Sequence, residues 1–340
     1  MAMHDLSFNT SRVKILQFTD LHFGEADERD RMSMQMMRSV LSAERPDFVV
    51  YSGDLVSGYA VPSEQRRRFL WQSALSVGDV PFATIFGNHD DQPYCFDPLL
   101  WHGMLLYAVF AIAIAAMVLA YTFNAKRKLL IMLLPLLTAF ITALLATAPS
   151  NSVRISLLKH ERHSFPSLSY TQQGPKWVHG VSNYRLVFKT PQGSVALIFL
   201  DSGGGRIPEA IHQSQIDWLR SVWVDMPSIT FVHIPPFPAA IYNAKCSGDP
   251  PLEATSALKG SDRLLNALAN TRAVFVGHDH GNAWCCNHSQ MLMCYGRHSG
   301  YNGYALDGKP PGARVIELHA NGELRTWVAS QNTTTHTQHV

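Results

Sequence analysis

A chain of 340 residues can hold one large domain or two small ones, with an ample core in either case. Its formal net charge of +2 is too small for the strongly positive surface that binds nucleic acid, so no nucleic-acid partner is expected. Charged residues make up 16% of the chain, below the usual quarter, and one internal apolar segment explains much of the deficit.

Short apolar runs alternate with helical segments along the chain. Strands are predicted where four to eight apolar, β-branched or aromatic residues stand between turn residues. The predicted strands are 13–18, 48–51, 81–86, 184–189, 194–200, 229–232, 273–276, 291–295, 314–318 and 323–328. Helices are predicted at 30–44, 63–77, 152–162, 212–224 and 255–270. This βαβα order, followed by a strand-rich half, indicates an α/β fold with a mixed sheet system covered by helices.

The apolar segment after the third strand predicts a transmembrane hairpin. About 21 uncharged residues at 103–123 are long enough to span a bilayer, and a basic loop at 124–128 leads into a second uncharged stretch at 129–148. Both stretches are apolar all round, and small residues recur four apart in them, as helix packing in lipid favours. A pair of buried core helices and an untranslated segment retained in the reading frame are the alternatives.

A two-pass membrane localisation follows from this hairpin. The basic loop favours a cytosolic loop, whereas Arg154, Lys159 and Arg162 favour the opposite arrangement. The first nine residues lack the basic and apolar regions of a signal peptide, so we expect the catalytic domain to face the cytosol.

The 5 cysteines are too few for a disulfide scaffold and have no CxxC spacing. Free thiols are expected, with a bridge among the last four as the alternative for a lumen-facing domain.

Five polar motifs follow the predicted strands, at the strand ends where open α/β sheets bind ligands. An i, i+2 spacing directs Asp20 and His22 to one side, and does the same for His278 and His280. The mixture of imidazole and oxygen ligands suits Fe, Mn, Zn or Ni rather than Ca or Mg. The motifs are Asp20-Leu21-His22, Gly53-Asp54, Gly87-Asn88-His89-Asp90, His233 and Gly277-His278-Asp279-His280.

Together these motifs predict a site for two divalent or trivalent transition-metal ions. Two such ions about 3.5–4 Å apart hold a hydroxide and clamp a phosphoryl group for in-line displacement. His89 stands next to a ligand, where it can protonate the leaving alkoxide. Asp90 is expected to orient the imidazole of His89.

The five motifs, in this order and spread over nearly the whole chain, resemble the calcineurin-like metallophosphoesterase superfamily. The resemblance implies a four-layer αββα sandwich, here interrupted by the two-helix transmembrane hairpin. It also implies that His89 is catalytic and that Asp54 bridges the two ions. The implied ligands are Asp20, His22 and His280 for the first ion, and Asn88, His233 and His278 for the second.

Four segments are similar to a purple-acid-phosphatase-like branch of plant and fungal phosphatases: 87–91, 200–205, 233–235 and 281–286. The purple enzymes carry an iron-binding tyrosine where this chain has Ser57, and Tyr59 is out of register. We therefore expect no tyrosinate colour.

The sequence thus predicts a dinuclear metal-dependent phosphoesterase that hydrolyses phosphate monoesters, either a phosphoprotein or a small phosphate ester. A phosphodiesterase acting on nucleotides or lipid head groups and a catalytically idle membrane scaffold are the alternatives. The expected organisation is a first domain part at 12–98, the membrane hairpin at 103–148, a second domain part at 151–329 and a disordered tail at 330–340.

Overall fold

The computed structural model describes residues 5–8, 11–62, 64–95, 111, 114–115, 118, 150–222, 226–237, 241–243, 246–268, 271–288, 290–306, 308–331 and 333–339. Within these ranges the strands are β1 (Asp5–Ser7), β2 (Arg12–Phe18), β3 (Phe48–Ser52), β4 (Phe82–Ile85), β5 (Tyr184–Thr190), β6 (Gly193–Leu200), β7 (Ser228–Val232), β8 (Ala273–Val276), β9 (Cys285–His288), β10 (Met291–Tyr295), β11 (Gly312–His319), β12 (Leu324–Ser330) and β13 (Thr333–His339). The helices are α1 (Asp27–Glu44), α2 (Glu64–Leu75), α3 (Ser152–Ser164), α4 (Gln213–Ser221) and α5 (Ser261–Ala267).

The strands form two mixed sheets. One has six strands in the order β13-β12-β11-β2-β3-β4, and the other has seven in the order β1-β5-β6-β7-β8-β10-β9. The strands that lead into the polar motifs run parallel within each sheet: β2, β3 and β4 in the first, and β7 and β8 in the second. Their carboxyl ends therefore meet at one edge of each sheet, as the sequence predicts.

The two sheets pack face to face over an apolar layer. Strand residues such as Ile15 and Val50 of the first sheet belong to the same buried cluster as Phe199 and Phe231 of the second. Burying each such side chain contributes about 1.5–3 kcal/mol. Two further clusters join the outer faces to helices, with α1, α2 and α3 on the six-stranded sheet and α4 and α5 on the other. The predicted αββα sandwich is the observed architecture.

The strands that precede the motifs match their predicted positions within one residue, but other elements differ. The helix predicted at 255–270 is only α5, because Gly260 takes a left-handed conformation with φ 84° directly before it. The strands β1, β9 and β13 are not predicted. The last of these occupies most of the tail predicted to be disordered, where recurring threonines suit an extended strand paired with β12.

The predicted transmembrane hairpin is wrong for the chain as described. No helix among the described residues is both long and apolar enough to cross a membrane. The longest of them, α1, has 18 residues and carries three acidic side chains in its first turn, whereas a span needs about 20 apolar residues. Within 103–148, positions 111, 114, 115 and 118 are helical and exposed, and the other positions lie outside the described residues. The predicted two-pass membrane localisation, with a cytosol-facing catalytic domain, depends on this hairpin and is therefore not supported either.

Four of the cysteines pair in two disulfides, so the expectation of free thiols is wrong for these four, and the alternative of a bridge among them is observed. Cys285 and Cys294 link the neighbouring strands β9 and β10, at positions that pair in register. Cys246 is joined to Cys286, which ties the loop before α5 to the same sheet. The fifth cysteine, Cys95, is exposed and lies outside both bridges.

Candidate metal centre

The predicted ligands converge where the carboxyl ends of the two sheets meet. Asp20 and Asp54 follow β2 and β3, and Asn88 follows β4. On the seven-stranded sheet, His233 comes directly after β7 and His278 follows β8. All seven predicted metal ligands, His22 and His280 included, therefore lie in one region.

The backbone at this centre is strained. Among the residues that the structure describes, six non-glycine residues have a positive φ, and four of them are predicted ligands. A left-handed conformation costs an L-residue about 1–2 kcal/mol, and such costs cluster at functional sites. The four are Asp20 (φ 55°), His22 (φ 51°), Asp54 (φ 53°) and His278 (φ 75°).

Gly53 explains how Asp54 reaches the centre. Its φ is 100°, and a Cβ at this position would lie only 2.5 Å from Nδ1 of His233. Only glycine combines this conformation with this close approach. The Gly-Asp motif is thus a steric requirement of the site.

The first ligand group consists of Asp20, His22 and His280. One ligand atom from each of these buried residues lies within 4.8 Å of the others. The Nε2 atoms of His22 and His280 are 3.2 Å apart, and Nε2 of His280 lies 3.6 Å from Oδ1 of Asp20.

The second ligand group consists of Asp54, His233 and His278, with Asn88 against it. Nε2 of His233 is 3.0 Å from Oδ2 of Asp54 and 3.1 Å from Oδ1 of Asn88. The same Asn88 oxygen is 2.9 Å from Nδ1 of His278. Oδ2 of Asp54 also lies 3.8 Å from Nε2 of His22, so this carboxylate stands between the two groups.

The hydrogen bonds that the ligand imidazoles make on the side away from the centre indicate whether the centre suits cations. Nδ1 of His280 lies 2.7 Å from the carbonyl oxygen of Tyr304, and Nδ1 of His233 lies 2.9 Å from that of Ser52. A carbonyl can only accept, so both Nδ1 atoms carry the proton, and a neutral ring then presents a lone pair at Nε2. In the neutral rings these lone pairs face other acceptors, namely carboxylate and amide oxygens. At His233 a proton on Nε2, donated to Asp54, satisfies the same geometry. Converging acceptors of this kind suit a bound cation.

The pKa values of the two ligand carboxylates, Asp54 and Asp20, also indicate a centre that suits positive charge. Burial alone would raise the pKa of Asp54, but the charge of His233 holds it well below the ordinary 3.8. Burial would likewise raise the pKa of Asp20, but its contact with His280 lowers it. In return, the charge of Asp54 outweighs burial and raises the pKa of His233 to about 10. The centre thus keeps its carboxylates ionised and stabilises positive charge between them, whether that charge is the His233 imidazolium or a bound cation.

His89 lies at the open side of the centre. Its Nε2 is 4.0 Å from Oδ2 of Asp54, its side chain is 29% exposed, and its backbone N–H donates to Oδ1 of Asp54 at 2.7 Å. Nδ1 of His89 is 2.7 Å from Oε1 of Gln92, which therefore orients the ring. Gln92 is absent from the sequence prediction because no motif contains it.

Asp90 does not orient His89 as predicted. Its buried carboxylate accepts from the backbone N–H groups of Gly87 at 2.8 Å, and of Asp54 and Val56 at 3.1 Å. Burial, reinforced by the nearby charge of Asp54, raises the pKa of Asp90 to about 7. Asp90 therefore fixes the turns that carry the ligands.

Ser57 supports His22 from behind. Its hydroxyl lies 2.9 Å from Nδ1 of His22 and donates to Oε1 of Glu25 at 2.6 Å. Tyr59 donates its hydroxyl to the same Glu25 oxygen at 2.6 Å. Sequence reasoning identifies Ser57 only as a missing tyrosine, and Glu25, three residues after His22, carries no signal of its own.

A fully buried ion-pair network stands behind the second ligand group. Arg154 of α3 pairs with Asp201 and, at 3.1 Å, with Oδ1 of Asp91. Its guanidinium also donates to the carbonyl oxygens of Gly87 at 3.0 Å and Gly204 at 2.9 Å. The network joins the loop after β4, which carries Asn88 and His89, to the loop after β6.

Two clefts open beside the centre. One, of about 470 Å³, is lined by His22, His89 and His280 together with Glu25, Tyr59 and Tyr304. The other, of about 560 Å³, runs between residues 204–210 and 256–259. The two clefts share Ser256 and His278, so they meet at the second ligand group.

Comparison with known proteins confirms the family resemblance. Residues 13–129 match the family model for the calcineurin-like phosphoesterases. A relative from Arabidopsis thaliana, named probable inactive purple acid phosphatase 14, is 23% identical over 92% of this chain and 77% of its own length. A dimetal phosphatase from Danio rerio has a similar fold, with 14% identity, a TM-score of 0.50 and coverage of 95% of this chain and 98% of that one. A purple acid phosphatase from yellow lupin has 10% identity and a TM-score of 0.51, covering 96% of this chain and 53% of that one.

Proposed function

We propose that this chain, which carries a calcineurin-like phosphoesterase domain, hydrolyses phosphate monoesters with the help of two transition-metal ions. The substrate would be a phosphoprotein or a small phosphate ester. The observation that supports this most strongly is the pair of ligand groups, Asp20-His22-His280 and Asp54-His233-His278, with Asp54 between them. The catalytic domain would comprise residues 12–98 and 151–329.

Each predicted ligand has a defined part in this proposal. Asp20, His22 and His280 would hold the first ion, and His233, His278 and Asn88 the second, with Asp54 shared between them. Bound ions would supply Lewis acidity to the phosphoryl group and make water a nucleophile at neutral pH.

The chain's own residues would move the proton and set the geometry. His89 lies beside the cleft with Gln92 holding its Nδ1, so its imidazolium form would present the Nε2 proton to the leaving oxygen. Ser57, Ser52 and Tyr304 would each fix one ligand imidazole from behind, which keeps the nitrogen lone pairs directed inward.

A catalytically idle protein that keeps the fold is the competing proposal, since the relative from Arabidopsis thaliana is named probable inactive. This chain, however, retains a residue of ligating type at every one of its seven predicted positions. The strained conformations of Asp20, His22, Asp54 and His278 persist as well, although an idle protein would have no use for them.

Hydrolysis of p-nitrophenyl phosphate by the purified chain supplied with Mn, Fe, Zn or Ni tests the proposal. We expect metal-dependent turnover that Asp54→Asn removes and that Asp217→Asn, a change at an exposed carboxylate, leaves unchanged. Absence of turnover with every metal, or turnover that survives Asp54→Asn, would refute it.

A phosphodiesterase is the second candidate, because the two clefts meet at the centre and a diester has two alcohol groups to accommodate. Comparing kcat/KM for p-nitrophenyl phosphate and bis-p-nitrophenyl phosphate separates the two. A higher value for the diester would favour this second candidate.

A further inference from the structure

Two exposed tyrosines flank the cleft that opens beside the first ligand group. The ring of Tyr304 lies flat on the imidazole of His280, with centroids 4.0 Å apart and an interplanar angle of 4°. Tyr59 is set edge-on to His89, with centroids 5.8 Å apart. Tyr304 is 47% exposed and Tyr59 is 37% exposed, so both rings present apolar surface to the cleft.

Both rings are held in place at their hydroxyl ends. Tyr304 donates to Oε2 of Glu253 at 2.8 Å, and Tyr59 donates to Oε1 of Glu25 at 2.6 Å. The carbonyl oxygen of Tyr304 also accepts from Nδ1 of His280 at 2.7 Å. Fixed aromatic side chains lose little conformational entropy when a ligand binds, so these rings are preorganised for stacking.

The charge around this cleft limits what can stack there. Glu25 and Asp279 line the cleft, and Glu253 holds the hydroxyl of Tyr304 at its margin. Among the residues that the structure describes, neither a lysine nor an arginine lines it. A leaving group with further phosphates or carboxylates would therefore meet repulsion, whereas an uncharged planar group would not.

We propose that Tyr59 and Tyr304 form an aromatic clamp that binds the aryl leaving group of a phosphate monoester. This inference rests on the proposed function, and it names aryl monoesters as the preferred substrate class over alkyl monoesters and nucleoside polyphosphates. Aromatic pairs are stabilised by about 0.5–1.5 kcal/mol beyond the burial of their area, so each ring should contribute roughly 2- to 13-fold to the preference.

The ratio of kcat/KM for phenyl phosphate to that for β-glycerophosphate measures the preference. Both esters are used with every variant, so their different intrinsic reactivities cancel when variants are compared. We expect the ratio to fall about 2- to 13-fold in Tyr304→Leu and in Tyr59→Leu. The ring-retaining variants Tyr304→Phe and Tyr59→Phe should keep most of it. Trp177→Leu, which removes an aromatic residue that is 59% exposed and lies outside the cleft, should leave it unchanged.

Binding of non-hydrolysable probes tests the clamp independently of turnover. Calorimetry with the metal-supplied chain compares phenylphosphonate with methylphosphonate, and we expect the phenyl compound to bind more tightly in wild type but not in the double leucine variant. If no ester is hydrolysed and this difference persists, the proposed function fails while the clamp stands. Equal affinities in wild type, or a difference that survives both leucine substitutions, would overturn the clamp.

Discussion

Arg154→Met probes the link between the buried ion-pair network and the candidate metal centre. The side chains of Arg154, Asp91 and Asp201 are all 0% exposed. After the substitution, Asp201 still accepts from the backbone N–H groups of Val181 and Gly203, at 2.7 and 3.0 Å. Asp91 keeps only a bond of 3.4 Å from the N–H of Arg206 among the bonds that the structure describes.

Asp91 is therefore the group that would be left buried and poorly compensated. Breaking a buried pair from one side costs about 3–5 kcal/mol, a large part of the 5–15 kcal/mol by which typical domains are stable. The carbonyl oxygens of Gly87 and Gly204 would lose a donor as well. We thus expect unfolding free energy to fall by about 3–5 kcal/mol.

Urea unfolding followed by circular dichroism measures this loss. Arg220→Met, at a side chain that is 70% exposed, is the matched control and should produce no resolvable change. Arg154→Lys should recover only part of the loss, because an ammonium group cannot reproduce the planar contacts of the guanidinium. A loss below about 1 kcal/mol for Arg154→Met would refute the reasoning, since that is the size of an exposed ion pair.

Three further predictions concern pH, the disulfides and the metals. Burial raises the pKa of Glu161 above its ordinary 4.5, so the folded state keeps a proton that the unfolded state loses, and stability should fall as pH rises above 4.5. Glu161→Gln should flatten this slope in urea unfolding at several pH values, and an unchanged slope would exclude Glu161 as its cause. Replacing both cysteines by serine should cost about 3 kcal/mol for Cys285–Cys294 and about 4 kcal/mol for Cys246–Cys286, because the longer loop loses more entropy. Non-reducing peptide mapping should recover both linked pairs, and finding neither would contradict the second prediction. Chelation should lower the melting temperature of the metal-supplied chain, since ions that bind only the folded state stabilise it, and an unchanged temperature in differential scanning fluorimetry would count against bound ions.

The strand ends could be predicted because their signal is local. Each of the strands β2, β3, β4, β7 and β8 ends with at most one residue between it and a polar motif, and the structure keeps the predicted bounds within one residue. The start of α5 could not be predicted as well, because Gly260 interrupts a segment of otherwise helical composition. The transmembrane prediction uses the length, the apolar composition and the spacing of small residues in the segment, and none of these reports what surrounds it.

The i, i+2 spacing predicts that Asp20 and His22 lie together, but strand alternation is the wrong physical reason. Asp20 and His22 do share a ligand group, but both have a positive φ, so strand alternation is not what aligns them. His278 and His280, with the same spacing, belong to different groups. The i, i+2 spacing does not separate these two histidines, whereas the ligand sets implied by the family resemblance do.

The supporting residues could not be predicted because their partners are distant in sequence. The backbone N–H of Gly303 donates to Glu25 across 278 positions, and Tyr304 meets Glu253 across 51. Contacts of this kind arise only when the two sheets pack, and no short motif records them. Gln92 could not be predicted for a different reason: it follows the motif at 87–90 in a segment that has the composition of an ordinary loop.

Metal stoichiometry tests the central claim most directly. The purified chain is supplied with Mn, Fe, Zn or Ni, freed of excess metal, and measured by inductively coupled plasma mass spectrometry beside His280→Ala and His233→Ala. If the two ligand groups hold one ion each, wild type should retain about two equivalents of metal, and each variant should lose the equivalent bound by its own group. Metal content near zero in wild type, or equal in wild type and both variants, would contradict the account.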